Sequence, residues 1–336
     1  MAETINLAVV GAAQPVGKAF LELLENSELE LGQLHCLESG ESETETVLYG
    51  NRNVPLQKAS EFDFSQVEIA LFADLDPTDV QLPVQAGQAG CIVVTTQAAF
   101  SYAADIPLVV SGVNDEALAD YRNHNLVAVP DAGTCLAMQV LKPIHDTVGL
   151  TDISLNTMQS VSSRGEAGIR ELASQTAKLL NGKPVEPEQF ANQIAFNVVS
   201  VDGELLESGY SQGEAAQIHA MQKLLGGGVV EVDSSISTVP VFYGYTIDLV
   251  FGTARPIEIG QLLALWSSVA GLSVVEAGTA TAVSDAAESE QIFINRPRAS
   301  TIGQQHFRVS LVADNIRVGV AANLLGILQR LKQDYL

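Results

Sequence analysis

Short apolar runs punctuate the first part of the chain: Ile5 to Val10, Leu34 to Leu37, Ile69 to Ala73, Cys91 to Val94, Leu108 to Val110 and Leu126 to Val129. Between them lie polar stretches, or stretches with helical spacing such as Asp76 to Ala89 and Asn114 to Tyr121. The first run passes through Gly11 into Val16, Phe20, Leu21 and Leu24, which reads as strand, turn, helix. Strands with so little period-2 alternation are buried on both faces, so the pattern predicts an α/β domain whose parallel sheet is covered by helices on each side.

After about Pro130 the pattern changes. Thr151 to Val161, Glu231 to Val241, Tyr245 to Gly252 and His306 to Val312 interleave polar and apolar residues over longer spans, as an antiparallel sheet with one partly exposed face would. Helices are expected near Glu166 to Leu180 and Gly213 to Leu225, and a helix followed by a strand in Leu262 to Val275. The division expected is an α/β domain over 1–130 and an α+β domain over 131–313. A C-terminal helix within 314–336 could return to either domain. Gly226 to Gly228 is a turn, because an apolar run resumes directly after it.

Charge narrows the function. Lys plus Arg number 17 against 40 Asp plus Glu, giving −23, which repels phosphate backbones and anionic lipid heads and argues against nucleic-acid and membrane roles. Three cysteines, Cys36, Cys91 and Cys135, show no CxxC or zinc-like spacing, which points to a reducing cytoplasm and no structural metal. No cationic leader with a long apolar stretch opens the sequence, so a cytoplasmic location is expected.

Gly11-Ala12-Ala13-Gln14-Pro15-Val16-Gly17 stands where a dinucleotide loop belongs. Gly11 can turn the chain and Gly17 can let helix approach strand. In the middle, however, Gln14 adds bulk and Pro15 removes an N–H donor. The loop is either a working cofactor site or a turn that keeps only the architecture. Glu38, at the end of the second strand, could bond a ribose 2′-hydroxyl and favour NAD; the acidic stretch Glu38 to Glu45 reads more simply as a solvated loop. The five histidines form no local metal spacing, and Cys135, about one turn inside a helix, reads as a buried structural thiol.

Several blocks in order, among them AVVGAAQPVG, DIPLVVSGVN, LKPIHD, MQSVSSRGEAGIREL, SGYSQGEA, VPVFYG and ADNIRVGVAANLL, resemble aspartate-semialdehyde dehydrogenases over essentially the whole length. The resemblance implies a Rossmann domain, a catalytic and dimerisation domain, and NADPH-dependent reduction of aspartyl phosphate through a cysteine thioester, with a histidine base and basic residues gripping the substrate. Carried over position by position, it places the nucleophile on Ala132, the base on Tyr245 and a retained active-site amide on Gln159. Substrate-binding positions fall on Ser101, Glu214, Ala216 and Thr238, three of which replace cations. Cofactor positions fall on Gly11, Gln14, Gly17, Glu38 and Asn323, with Glu41 and Val318 where basic residues would stand. A methyl group forms no thioester, and a tyrosine with its ordinary pKa of about 10 rarely accepts a proton at neutral pH.

The expectation is therefore a non-catalytic, Usg-type paralogue that binds no cofactor and serves in binding or assembly, as a homodimer or as a mixed dimer with an active homologue. The alternative is a phosphorylating aldehyde oxidoreductase of amino-acid biosynthesis with altered chemistry or a preference for NAD, using Glu38 and either Tyr245 or Cys135. A small-ligand sensor built on Gln159 is a third reading.

Overall fold

A computed structural model describes residues 4–40, 44–73 and 80–336, and divides the chain into two compact units. Unit 1 comprises Met1–Asp131 and Val320–Leu336; unit 2 is Ala132–Gly319.

Unit 1 is built on strands β1 (Ile5–Val10), β2 (Leu31–Glu38), β3 (Thr46–Tyr49), β4 (Arg52–Lys58), β5 (Ile69–Phe72), β6 (Ile92–Thr95) and β7 (Leu126–Ala128), in the order β3-β4-β2-β1-β5-β6-β7. All pairings are parallel except the β3–β4 hairpin at one edge. Every residue of β5 and β6 is buried, which is why their sequences run apolar without alternation. Helix α1 (Pro15–Glu25) buries Phe20, Leu21 and Leu24, and helices α2 (Gln81–Gln88) and α3 (Ala98–Ser101) follow β5 and β6. Two sequence expectations change. Leu108 to Val110 forms no strand, only a parallel bridge from Leu108 to Ala128, and Asn114 to Tyr121 folds as a 3-10 helix over Asp115–Asn123. Glu41 and the start of the Asp76–Ala89 stretch lie outside the described residues.

Unit 2 opens with helix α4 (Ala132–Val148), followed by β8 (Leu150–Gln159), α5 (Gly165–Leu180), α6 (Gln212–Leu224), β9 (Glu231–Thr238), β10 (Tyr245–Thr253), α7 (Ile259–Ser267), β11 (Leu272–Val274), β12 (Ile292–Ala299) and β13 (His306–Ala313). Its sheet runs β11-β12-β13-β10-β8-β9. The central pairs are antiparallel and the outer pairs β11–β12 and β8–β9 parallel. β8 and β10 alternate buried with exposed or half-buried positions, so one face of the sheet carries the core. On that side Trp266 is fully buried, donates its indole N–H to the Val140 carbonyl at 3.1 Å and meets Phe251 edge-on. The chain returns to unit 1 through a π-helical turn, Arg317–Ala321, and ends in helix α8 (Ala322–Asp334), so the expected single C-terminal helix starts with an irregular turn. Among the described residues no helix is long and apolar enough to cross a membrane.

Candidate functional site

In unit 2 the end of β8, the end of β9 and the start of β10 meet. They bring together three positions that the family resemblance marks. The Tyr245 hydroxyl donates to Gln159 Oε1 in a long bond of 3.5 Å, and Gln159 Nε2 donates to Thr238 Oγ1 at 3.0 Å. All three side chains are buried, between 3 and 5% exposed. Buried polar groups must find partners, and these satisfy one another with no formal charge. β9 also anchors Glu214: its carboxylate accepts the Ser211 N–H at 2.7 Å and the Ile236 N–H at 3.0 Å, closing a capping box on α6. Glu214 therefore holds helix to strand, and Ala216, one turn into α6, is half-buried.

Ala132 is the first residue of α4. A Cβ built on Gly319 would stand 2.8 Å from the Ala132 methyl, so the glycine backbone lies directly against the position to which the resemblance assigns the nucleophile. Cys135 is 2% exposed on the same helix. Burial pushes the other two thiols, Cys36 and Cys91, up to about 12, with the Glu38 charge adding to the effect at Cys36.

A second network, one residue from the first on either side, has no counterpart among the sequence expectations. Ser160, Ser162 and Asn315 bond among themselves at 2.9–3.3 Å, and Asn315 Oδ1 also accepts the Gly244 N–H at 2.9 Å. These residues hold the turn before Tyr245 in place. Their only trace in the sequence is membership of the QSVSS and ADN blocks, which carry no chemical signature of their own.

In unit 1, Ser101 ends α3 and is buried, and Asn323 on α8 accepts the Ser111 N–H at 2.6 Å, a structural tie. Gly11 turns the chain at φ +79°, and Gly17 is required where it stands: a Cβ there would lie 2.1 Å from the Gly11 carbonyl oxygen. Glu38 departs from the expectation of a solvated acidic loop. It is the last residue of β2, only 6% exposed, and Oε1 accepts the Ala13 N–H at 2.6 Å. Burial raises its carboxyl above the usual range, and the Ala13 N–H, the Gln14 side chain and Lys18 partly oppose that. The sequence could not show this, because an acidic run looks the same whether or not its first member lies beneath a loop.

A family model described as the NAD binding domain of semialdehyde dehydrogenases matches residues 6–121, and one described as their dimerisation domain matches residues 141–318. The aspartate-semialdehyde dehydrogenase 2 of Vibrio cholerae is 37% identical over 336 residues, covering all of both chains. A USG-1 protein homolog of Pseudomonas aeruginosa is 32% identical over 337 residues, again covering both chains completely. Among solved structures, Vibrio cholerae aspartate semialdehyde dehydrogenase II complexed with ASA superposes with a TM-score of 0.95 at 37% identity, over 99% of this chain and all of that one.

Proposed function

The chain belongs to the semialdehyde dehydrogenase family, and from that premise we propose that it is a member without the family's chemistry, a homodimeric protein of binding or assembly. The observation that carries this reading is the closed chain Tyr245–Gln159–Thr238. Where the resemblance puts a histidine base and an arginine clamp, the side chains are neutral and bonded to each other. The position assigned to the nucleophile is a methyl group. Removing one charge-assisted hydrogen bond to an anionic substrate typically costs about 1.5–3 kcal/mol, so removing several leaves little hold on an acyl phosphate. Exposed apolar side chains in unit 2, Phe196 at 66% and Leu205 at 64%, support an assembly role for the unit that matches a dimerisation domain.

The test is a dehydrogenase assay on the purified chain with aspartate semialdehyde, phosphate and NADP, expected to give no turnover above buffer. Reproducible turnover refutes the proposal. The match to an NAD binding domain favours a second reading, an oxidoreductase of altered chemistry. The same assay with NAD and a panel of aldehydes separates them, since that reading requires nicotinamide reduction with at least one. Light scattering is expected to give twice the 35.6 kDa of one chain; a particle that assembles only when an active homologue is added would point to the mixed dimer.

A further inference from the structure

A dinucleotide loop binds phosphate through backbone N–H groups that have no acceptor of their own. Here the N–H groups of the loop ahead of α1 are engaged. The N–H groups of Gly11 and Ala12 both donate to the Leu37 carbonyl, at 2.9 and 3.2 Å, and that of Gln14 donates to the Gly11 carbonyl at 3.0 Å. Ala13 donates to Glu38, and Pro15 has no N–H to give. Only from Val16 onward does the start of α1 present N–H groups whose acceptors would fall outside the helix. The Gln14 side chain, in the place where a glycine would let a ligand approach, is itself bonded to Glu38. The loop as it stands does not fit a pyrophosphate, although residues 6–121 match an NAD binding domain.

We propose that Glu38 is a built-in anion that takes the loop's Ala13 N–H in place of a nucleotide phosphate, and that with the loop's other N–H groups held by backbone carbonyls it closes unit 1 to both NAD and NADP. The effect is twofold. The carboxylate takes the Ala13 N–H and engages the Gln14 side chain, and its charge opposes any phosphate brought beside it. Closure of the loop is a property of unit 1 alone and does not rest on the loss of chemistry in unit 2. A chain that bound NADP but turned nothing over would overturn the closure and leave the loss of chemistry standing.

Calorimetric titration of the full chain with NAD and with NADP, each up to about 1 mM, is expected to show no saturable heat. A variant combining Glu38→Ala with Pro15→Ala, checked for folding by its melting profile, is expected to bind at least one dinucleotide at least tenfold more tightly than the parent. Saturable binding of either dinucleotide by the parent chain overturns the proposal. NAD bound with NADP excluded would mean that Glu38 holds a ribose hydroxyl instead. A folded variant that binds no better than the parent also overturns it, and should the variant not fold, the titration of the parent chain decides alone.

Discussion

At the scale of single residues, the proposed loss of the family's reaction is a matter of several side chains acting together. Ala132→Cys restores a sulfur but neither a base nor a clamp, because Tyr245, Gln159 and Thr238 remain bonded to one another. Catalytic groups that act as a unit lose nearly everything when one is absent. The variant is therefore expected to show no turnover with aspartate semialdehyde, phosphate and NADP, and measurable turnover would mean that the pocket is more intact than its hydrogen bonds imply. Glu38 carries a pH signature. Its folded pKa lies above the ordinary carboxylate value, so the protonated form is the one that folding favours. That contribution is fully present below the ordinary carboxylate pKa and is lost as pH rises through the raised one. Thermal melts should therefore show Glu38→Gln gaining stability over the parent from acid toward neutral pH; a gap that narrows over that range would contradict the burial argument. The sequence named Ala132 and Tyr245 by resemblance, but it could not reveal which retained polar residues bond within the protein. Glu214, Asn323 and Gln159 all bond to the protein itself, and that depends on neighbours brought in from distant segments.

Secondary-structure elements are legible where one environment covers a whole run. β5 and β6 are buried from end to end, and β8 and β10 alternate, so each declares its type. The β3–β4 hairpin is hidden because its strands are largely exposed or half-buried and Pro55 interrupts the second. Its signal is the turn between them, Gly50-Asn51, both in the left-handed region at φ +56° and +59°, which is what a two-residue hairpin of matching twist requires. Glu214 joins α6 to β9 through the Ile236 N–H. Glu214→Ala removes acceptors for two backbone N–H groups, and chemical denaturation should show a loss of about 1–3 kcal/mol. Ser211→Ala, which removes the other half of the capping box, should cost about 1 kcal/mol, and the double variant less than the sum because the two share the same bonds. Additive losses would mean that the two residues stabilise α6 independently.

For the molecule as a whole, the two-part fold follows from the change of pattern near Pro130, and the acidic balance sets its conditions of assembly. A chain of net charge −23 repels its own copy, and salt shortens the reach of that repulsion from about 10 Å at 0.1 M to about 3 Å at 1 M. Self-association measured by sedimentation should tighten as salt is raised; weakening would mean that ion pairs rather than apolar contact hold the copies together. Burial of the three thiols has a consequence of another kind. A thioester-forming enzyme must keep a reactive sulfur, and peroxide or alkylating electrophiles can poison it there. With Cys36 and Cys91 held protonated at neutral pH and Cys135 enclosed in its helix, this chain offers such reagents no easy target. Oxidative conditions that would silence a working thiolate relative should leave it intact.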